Sequence, residues 1–297
     1  MKKAFIQLHI AVFLAGFTGI LGKLITLNEG LLVWYRLMIS AVSLWILFSM
    51  QKKNAKISFA DVIKIFGIGG IAALHWVSFY GSIKYANVSI ALVCFSAIGF
   101  FTAFLEPLIF GVKIDFIELL LGLLMIIGIY FIFHFDPTYK TGIIIGLISA
   151  LLASIFPILN KVILKKISAE TVTLYELSGG FLFLTMLLPF YLKLFPTDYI
   201  FPNLKDWLWL LVLSWLCTVL AFNLSMKALQ KISAFTANLS YNLEPVYGIL
   251  LAFVVLGENK YVNKGFYIGL ALIIFAITAQ MLRLWHKKER ERVNLNK

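Results

Sequence analysis

Charged residues are scarce in this chain of 297 residues. Asp, Glu, Lys and Arg make up only 13% of the sequence, whereas hydrophobic residues make up 61%. A soluble globular protein has about 25% charged and roughly 45–50% apolar residues. The composition therefore excludes an ordinary soluble domain and predicts a polytopic membrane protein.

Acidic residues are fewer still, with 14 Asp and Glu against 26 Lys and Arg and a net charge of +12. The basic residues lie mainly in short connections and in residues 283–292, a pattern that holds loops on the cytoplasmic side of a membrane. No basic face alternates with exposed aromatic residues, as binding of single-stranded nucleic acid requires. We therefore expect the lipid bilayer, and not a nucleic acid, as a partner.

Cysteines and enzymatic motifs are also lacking. Only Cys94 and Cys217 occur, far apart in apolar segments, so there is no disulfide framework and no CxxC motif. The sequence contains no HExxH, GxSxG or Walker motif, and FGIGG at 66–70 is too short for a dinucleotide loop. We expect no enzymatic activity, no metal and no cofactor. Two alternatives stay open: an intramembrane enzyme using Glu244 and His75 as acid and base, and a membrane scaffold.

Long apolar runs are what the sequence does contain. A hydrocarbon core about 30 Å thick takes about 20 helical residues. Ten segments fit: 4–24, 30–50, 61–83, 87–112, 115–135, 141–163, 170–192, 205–227, 232–256 and 262–284. The first resembles a signal peptide, but its apolar run is too long for one and nine similar segments follow. The sequence predicts an all-α membrane protein with ten transmembrane helices.

The distribution of Lys and Arg predicts the orientation. With both termini inside, 18 of these residues lie near cytoplasmic helix ends and seven near external ends. Cytoplasmic loops carry an excess of Lys and Arg. We therefore expect both termini in the cytoplasm.

Short segments of the first half of the chain match segments of the second half in the same order. The matches are LGK 21–23 with LNK 159–161, WYRL 34–37 with LYEL 174–177, SIK 82–84 with SMK 225–227, and Gly99 and Gly111 with Pro245 and Gly257. The offsets rise smoothly through 138, 140, 143 and 146, as small insertions would produce. This repeat predicts two five-helix domains at residues 1–136 and 137–284, followed by a basic cytoplasmic tail at 285–297.

An odd number of helices in each half inserts the two halves in opposite orientations. Such inverted repeats are typical of secondary transporters, which bind substrate near the membrane midplane between the halves. Arg36 and Glu176 occupy equivalent positions in this repeat, about 9 Å deep from opposite faces at 1.5 Å per residue. We therefore do not expect them to form an ion pair.

The stretch NLEPVYG at 242–248 places a carboxylate deep in an apolar segment. Glu244 lies about 18 Å into the ninth predicted span, and Pro245 leaves the carbonyl of Tyr241 without its helical hydrogen bond. Tyr241, Glu244 and Tyr247 share one helix face. An intramembrane carboxylate is a functional candidate, as a proton carrier or as the counter-charge of an amine. A purely structural hydrogen bond between helices is the alternative.

Other polar and aromatic residues at depth complete the candidate substrate site. His75 lies near the middle of the third span, beside Trp76, Phe79 and Tyr80, whose rings offer stacking and cation–π surfaces. Arg36 has two interpretations: it binds a carboxylate, or it extends its side chain to the outer interface. The remaining candidates are Asn223 and Asn242, which either line the pathway or join helices.

The ninth span resembles the LEPV…LGE signature of the EamA-domain family in the drug/metabolite transporter superfamily. The matching residues are Leu243, Glu244, Pro245, Val246, Leu256, Gly257 and Glu258. The resemblance implies a secondary carrier of the cell (inner) membrane, and bacterial relatives commonly export amino acids or other small metabolites, some of them amphipathic amines. The first half departs from the pattern at Gly99 and FGVK 110–113, which leaves Glu244 without a symmetric twin.

The sequence as a whole predicts export of a small metabolite by alternating access, with protons as the candidate coupling ion and import as the alternative direction. The substrate is expected in a central cavity between the two halves.

Overall fold

A computed structural model describes residues 2–52, 56–111, 113–135, 137–232, 237, 240–241 and 243–295. Side chains are described for these residues except 2, 133–135, 137 and 284–295. Asn242, one of the candidate site residues, lies outside the described residues. Within the described ranges the chain is helical and forms no β-strand.

Twelve α-helices are described. They are α1 (Lys2–Leu24), α2 (Glu29–Met50), α3 (Phe59–Tyr85), α4 (Val88–Phe95), α5 (Ile98–Phe110), α6 (Phe116–Phe135), α7 (Lys140–Ile163), α8 (Ala169–Leu194), α9 (Leu204–Ser214), α10 (Ala221–Leu229), α11 (Leu243–Leu251) and α12 (Lys264–Leu295). A π-helical segment, Trp215–Leu220, joins α9 to α10, and a second, Ala252–Leu256, extends α11.

The lengths and hydropathies of these helices are those of membrane spans. Eight helical stretches in the described part of the chain are long and apolar enough to cross a bilayer; α4 with α5 forms one of them, and α9 with α10 another. Two shorter apolar helices, Phe116–Ile132 and Leu243–Leu256, lie where the fifth and ninth spans are predicted. The all-α membrane class is confirmed, with eight helices of full spanning length.

The structure differs from the predicted spans at two places. The fourth span is predicted as one helix over 87–112, but it is interrupted at Ser96 and Ala97 between α4 and α5. The Ser96 hydroxyl donates to the carbonyl of Val93, and such local side-chain bonds compete with helical ones. The last helix continues to Leu295, beyond the predicted end at residue 284.

Side-chain caps explain where many of the helices begin. An Asn or Ser precedes the helix and accepts a hydrogen bond from the backbone N–H three residues later, which satisfies a donor that the helix leaves free. The residues that do this are Asn28, Ser58, Asn87, Ser168 and Asn203. At the C-terminal ends of two helices, Gly111 and Gly257 adopt left-handed φ values of 66° and 65°. These two glycines are equivalent in the predicted repeat.

The packing of the helices pairs the first half, α1–α6, with the second half, α7–α12. The most extensive contacts join α3 to α7 and α8, and α6 to α12. The predicted repeat relates these contacts in pairs. The contact of α3 with α7 corresponds to that of α1 with α10, and the contact of α3 with α8 corresponds to that of α2 with α9. The contact of α5 with α7 corresponds to that of α1 with α11. The fold therefore places the interior of the protein between its two halves.

Glycines permit the closest helix crossings. A Cβ atom on Gly69 of α3 would lie 2.1 Å from the carbonyl oxygen of Glu176 in α8, and one on Gly180 would lie 2.8 Å from the carbonyl of Gly69. Gly128 of α6 and Gly269 of α12 approach each other in the same way. Small residues at such crossings let helix backbones approach in membranes, where van der Waals packing drives association.

Candidate functional site

A cavity lies between the two halves. Its volume is about 80 Å³, counted as the space open to the centres of water molecules. The wall comes from α1, α2, α3, α7, α10 and α11, from the region of the α4–α5 interruption, and from the π-helical segment after α9. The lining is mostly apolar and contains a few polar groups, as is usual for a small-molecule site.

Arg36 of α2 brings a positive charge into this cavity. Its side chain is 2% exposed. Nε donates to the hydroxyl of Thr218 at 2.6 Å, Nη1 donates to the hydroxyl of Tyr80 at 2.9 Å, and Nη2 reaches the carbonyl of Cys217 at 3.5 Å. The guanidinium carbon lies 4.2 Å from the centre of the Trp76 ring, in cation–π geometry. The interpretation that Arg36 extends to the outer interface is therefore wrong, because these neutral partners hold it inside.

The π-helical segment creates two of the acceptors for Arg36. Thr218 donates its hydroxyl hydrogen to the carbonyl of Leu213, five residues earlier. A π-turn widens the helix and is frequent at functional sites. Thr218 and the carbonyl of Cys217 are thereby presented to the guanidinium. Among the salt bridges formed by described residues, none involves Arg36.

His75 of α3 lies on another side of the cavity. Its Nδ1 is 3.0 Å from the carbonyl oxygen of Ser149 in α7, and the Ser149 hydroxyl donates to the carbonyl of His75 at 3.1 Å. A carbonyl can only accept, so the contact of Nδ1 with the Ser149 carbonyl is a hydrogen bond in the tautomer with its hydrogen on Nδ1; in the other tautomer Nδ1 accepts from the Ser149 hydroxyl, 2.9 Å away. His75 therefore ties α3 to α7 and also contributes to the cavity wall.

Aromatic rings cover much of the remaining wall. Those lining the cavity besides His75 and Tyr241 are Trp76, Phe79, Phe95, Phe156 and Phe222. The rings of Phe156 and Phe222 are stacked with centroids 6.1 Å apart, and the Phe95 ring lies 5.5 Å from His75. Such ring contacts stabilise the wall beyond the burial of area alone, by about 0.5–1.5 kcal/mol per pair.

Glu244 supplies a carboxyl group to the same cavity. It lies at the start of α11, is 5% exposed, and is within electrostatic range of Arg36. Pro245 follows it and cannot donate a backbone hydrogen bond, so the helix is weakened at this depth. Tyr241 lies one turn earlier and also lines the cavity. The site thus contains a guanidinium, a carboxyl group and an aromatic wall.

Six of the ten candidate residues line the cavity: Arg36, His75, Trp76, Phe79, Tyr241 and Glu244. Three others lie outside the lining. The Tyr80 hydroxyl is occupied by Arg36, the Tyr247 ring packs edge-on against Phe13 of α1, and Asn223 does not contribute to the wall.

Several lining residues are not among the candidates. Phe95, Phe156, Phe222 and Pro157 belong to apolar helical runs, where nothing in the sequence separates a cavity-facing ring from a lipid-facing one. Thr218, which holds Arg36 from outside the lining, depends on the π-turn, which has no signature in the sequence. Pro157 inside the sixth predicted span is the one available signal, since a proline within a helix marks a local break.

The fold and cavity define an α-helical, multi-pass membrane protein with a partly polar cavity between two halves. The profile of the EamA-like transporter family matches the chain twice, at residues 2–134 and 140–280. The chain therefore belongs to the EamA-like transporter family, as the LEPV…LGE stretch indicates.

Two relatives and one solved structure agree with this assignment. The chain is 25% identical to the uncharacterized transporter YetK of Bacillus subtilis (strain 168), over 94% of this chain and 87% of the relative. It is 29% identical to an uncharacterized transporter of Haemophilus influenzae over 52% of this chain and 53% of that protein. A solved crystal structure with 17% identity superposes with a TM-score of 0.67, covering 95% of this chain and 97% of the other, which shows the shared fold.

Proposed function

We propose that this protein is a secondary transporter that exports small zwitterionic, amphipathic metabolites, such as amino acids, across the cell membrane. The observation that carries the proposal is that Arg36, Glu244 and several aromatic rings line the same cavity. A substrate carboxylate would bind Arg36, whose planar guanidinium suits bidentate recognition. An amine would bind Glu244, and an apolar side chain would lie against Trp76 or Phe222.

Two features support alternating access as the mechanism. The pairwise packing of the halves and the left-handed glycines at equivalent positions fit two five-helix domains, 1–136 and 137–284, inserted in opposite orientations. In transporters of that design the halves rock around a fixed site. The proposed partners are accordingly the substrate, the bilayer and protons as coupling ion.

Hydrogen bonds join the two halves at helix ends that lie on one predicted side of the membrane. Asp206 of α9 accepts from the backbone N–H and the hydroxyl of Thr26 at 3.0 and 2.6 Å. The Tyr191 hydroxyl donates to Glu29 at 2.6 Å, and Glu258 accepts from the N–H and the hydroxyl of Ser89 at 2.8 and 2.7 Å. With both termini in the cytoplasm, as proposed here, these contacts lie on the extracellular side and must open during export.

The proposal is tested by metabolite profiling of the growth medium. Cells producing the wild type are compared with cells producing Glu244→Gln at equal membrane levels, and Glu170→Gln serves as the control because its half-exposed pair with Lys227 lies away from the cavity. We expect one class of amino acid to accumulate outside only with the wild type and the control. Identical media would contradict export, and accumulation inside the cells would reassign the direction to import.

A further inference from the structure

A second buried polar pair lies outside the cavity. Glu176 of α8 is 1% exposed and Asn160 of α7 is fully buried. Nδ2 of Asn160 donates to Oε1 of Glu176 at 3.1 Å. The other two polar atoms, Oε2 of Glu176 and Oδ1 of Asn160, are buried without a hydrogen-bond partner. Neither residue lines the cavity.

The two unsatisfied atoms have complementary chemistry only when the carboxyl group carries a proton. An ionised carboxylate and an amide oxygen are both acceptors, and leaving them buried and unpaired costs about 1–3 kcal/mol each, more for the charged one. A carboxylic acid has one O–H donor, and an amide has donors and an acceptor. With one proton on Oε2, the pair closes into two hydrogen bonds, Nδ2–H to Oε1 and Oε2–H to Oδ1.

The neighbouring helices provide no cation that would keep Glu176 ionised. Each described basic group on the helices packed against α8 is committed elsewhere or exposed: Arg36 of α2 to Thr218 and Tyr80, His75 of α3 to Ser149, Lys84 of α3 to the carbonyl of Ile25, Lys161 of α7 to the carbonyls of Leu229 and Ile232, Lys227 of α10 to Glu170, and Lys64 of α3 and Lys140 of α7 to solvent. No salt bridge of Glu176 occurs among the residues that the structure describes. An isolated buried carboxylate of this kind is neutralised instead of remaining charged.

We infer that Glu176 and Asn160 form a proton-binding site, in which Glu176 is a neutral acid in this conformation and a carboxylate after it releases the proton. The helix α3 of the first half covers the pair, because Gly69 packs directly on the carbonyl of Glu176. Movement of the first half relative to the second would admit water and allow release. That this proton drives transport rests on the proposed function, whereas its binding does not.

Infrared spectroscopy of the full-length protein in lipid nanodiscs tests the binding site directly. We expect the carbonyl band of a protonated carboxylic acid in the wild type at pH 7, lost in Glu176→Gln and retained in the matched control Glu170→Gln. Glu176→Gln should fold, because a Gln–Asn pair makes the same two hydrogen bonds as the acid–amide pair. Equal carbonyl bands in the wild type and in Glu176→Gln would overturn the inference.

A second variant keeps the test decisive if Glu176→Gln does not fold. Asn160→Ala removes the hydrogen bonds of the acid while leaving the acid in place. The carbonyl band should then shift in frequency, and its titration should move relative to the wild type. A spectrum and titration identical to those of the wild type would mean that the acid observed is not Glu176, which overturns the inference.

Coupling is tested separately in proteoliposomes containing an aromatic amino acid. A gradient of one pH unit drives up to about tenfold accumulation when one proton exchanges for one substrate. Glu176→Gln should keep substrate exchange at equal pH and lose the gradient-driven accumulation. Gradient-driven accumulation like that of the wild type would contradict the coupling role. Failure of the wild type to move any substrate would instead contradict the proposed function, and the infrared result would stand.

Discussion

Arg36 and Glu176 are equivalent residues in the predicted repeat and have different surroundings. Each is the eighth residue of its helix, α2 or α8, and each is buried. Arg36 donates to neutral acceptors from α3 and the π-helical segment and faces a cavity. Glu176 has one amide donor and an oxygen without a partner, and it does not line that cavity.

The difference indicates how one position of the predicted repeat could serve two proposed roles. A guanidinium cannot lose its proton in a protein, so its burial requires acceptors and an aromatic face. A carboxyl group can become neutral, so one amide suffices for it. We therefore expect Arg36 to be a permanent charge for a substrate and Glu176 to be a group that gains and loses a proton.

Removing the charge of Arg36 should have the largest effect. Hydrogen bonds to charged groups contribute about 1.5–3 kcal/mol, which corresponds to roughly a 10- to 100-fold loss of substrate affinity in Arg36→Ala. Arg36→Lys keeps the charge but lacks the planar guanidinium, so its substrate affinity should lie between those of the wild type and Arg36→Ala. Ligand-induced thermal shift with an aromatic amino acid measures this. Affinity of Arg36→Ala within twofold of the wild type would remove Arg36 from the site.

Replacing an acceptor of Arg36 should have a large effect on stability. In Thr218→Val the Nε donor of the charged guanidinium loses its partner, which costs more than the roughly 1–3 kcal/mol of an unpaired neutral group. Thr218→Ser retains the hydroxyl and is the matched control. Thermal unfolding in nanodiscs compares them, and equal midpoints for the two variants would show that Thr218 does not hold Arg36.

Replacing the partner of Glu176 should cost less. Asn160→Leu removes two hydrogen bonds between neutral groups, which together contribute about 1–3 kcal/mol, and it leaves no charged group unpaired. The same unfolding assay should therefore place Asn160→Leu between Thr218→Val and the wild type. A loss of stability in Asn160→Leu greater than that in Thr218→Val would mean that Glu176 is ionised. The contrast between a charged Arg36 and a neutral Glu176 would then be wrong.

A pair at the ends of two apolar helices, Asp115 just before α6 and Arg283 as the last residue of a spanning stretch, gives the smallest effect and a baseline for the buried groups. Asp115, before α6, accepts from Arg283 of α12. Partial burial opposes its ionisation, but the hydrogen bond and charge of Arg283 outweigh this and hold the pKa of Asp115 below its usual value of 3.8. The pair therefore stabilises the fold at neutral pH, and this stabilisation disappears as the pH falls through the lowered pKa.

The matching variant is Asp115→Asn. Because the pair is partly exposed, its contribution should be at most about 1 kcal/mol at pH 7 and should vanish at low pH. Unfolding midpoints of Asp115→Asn and the wild type should approach each other as the pH falls below 3.8 and coincide below the lowered pKa of Asp115. A difference that grows on acidification would contradict this sign.

Much of the fold follows from the sequence because bilayer thickness dictates the length of an apolar helix. The ends of the helices at Asn28, Ser168 and Gly257 are also readable, since a capping side chain or a left-handed residue acts locally. The interruption at Ser96 and Ala97 is not readable, because no proline marks it.

The candidate site is predictable only in its charged and aromatic residues at depth. Arg36, His75 and Glu244 attract notice because polar groups in a membrane are costly. The hydrogen-bond partners of buried charged residues depend on tertiary packing. Thr218 meets Arg36 because of a π-turn, and Asn160 meets Glu176 because α7 approaches α8. Depth along a helix does not reveal direction around it, which is why Tyr247 shares a predicted face with Glu244 and yet contacts Phe13.

The central claim, recognition of a zwitterion by Arg36 and Glu244, is tested most directly by counterflow exchange in proteoliposomes with three probes. These are phenylalanine, phenethylamine, which lacks the carboxylate, and phenylpropionate, which lacks the amine. We expect exchange of phenylalanine at least about tenfold faster than of either fragment. Arg36→Ala should abolish the preference of phenylalanine over the amine, and Glu244→Gln its preference over the acid. Equal exchange of all three probes by the wild type, or preferences unchanged in both variants, would contradict the account.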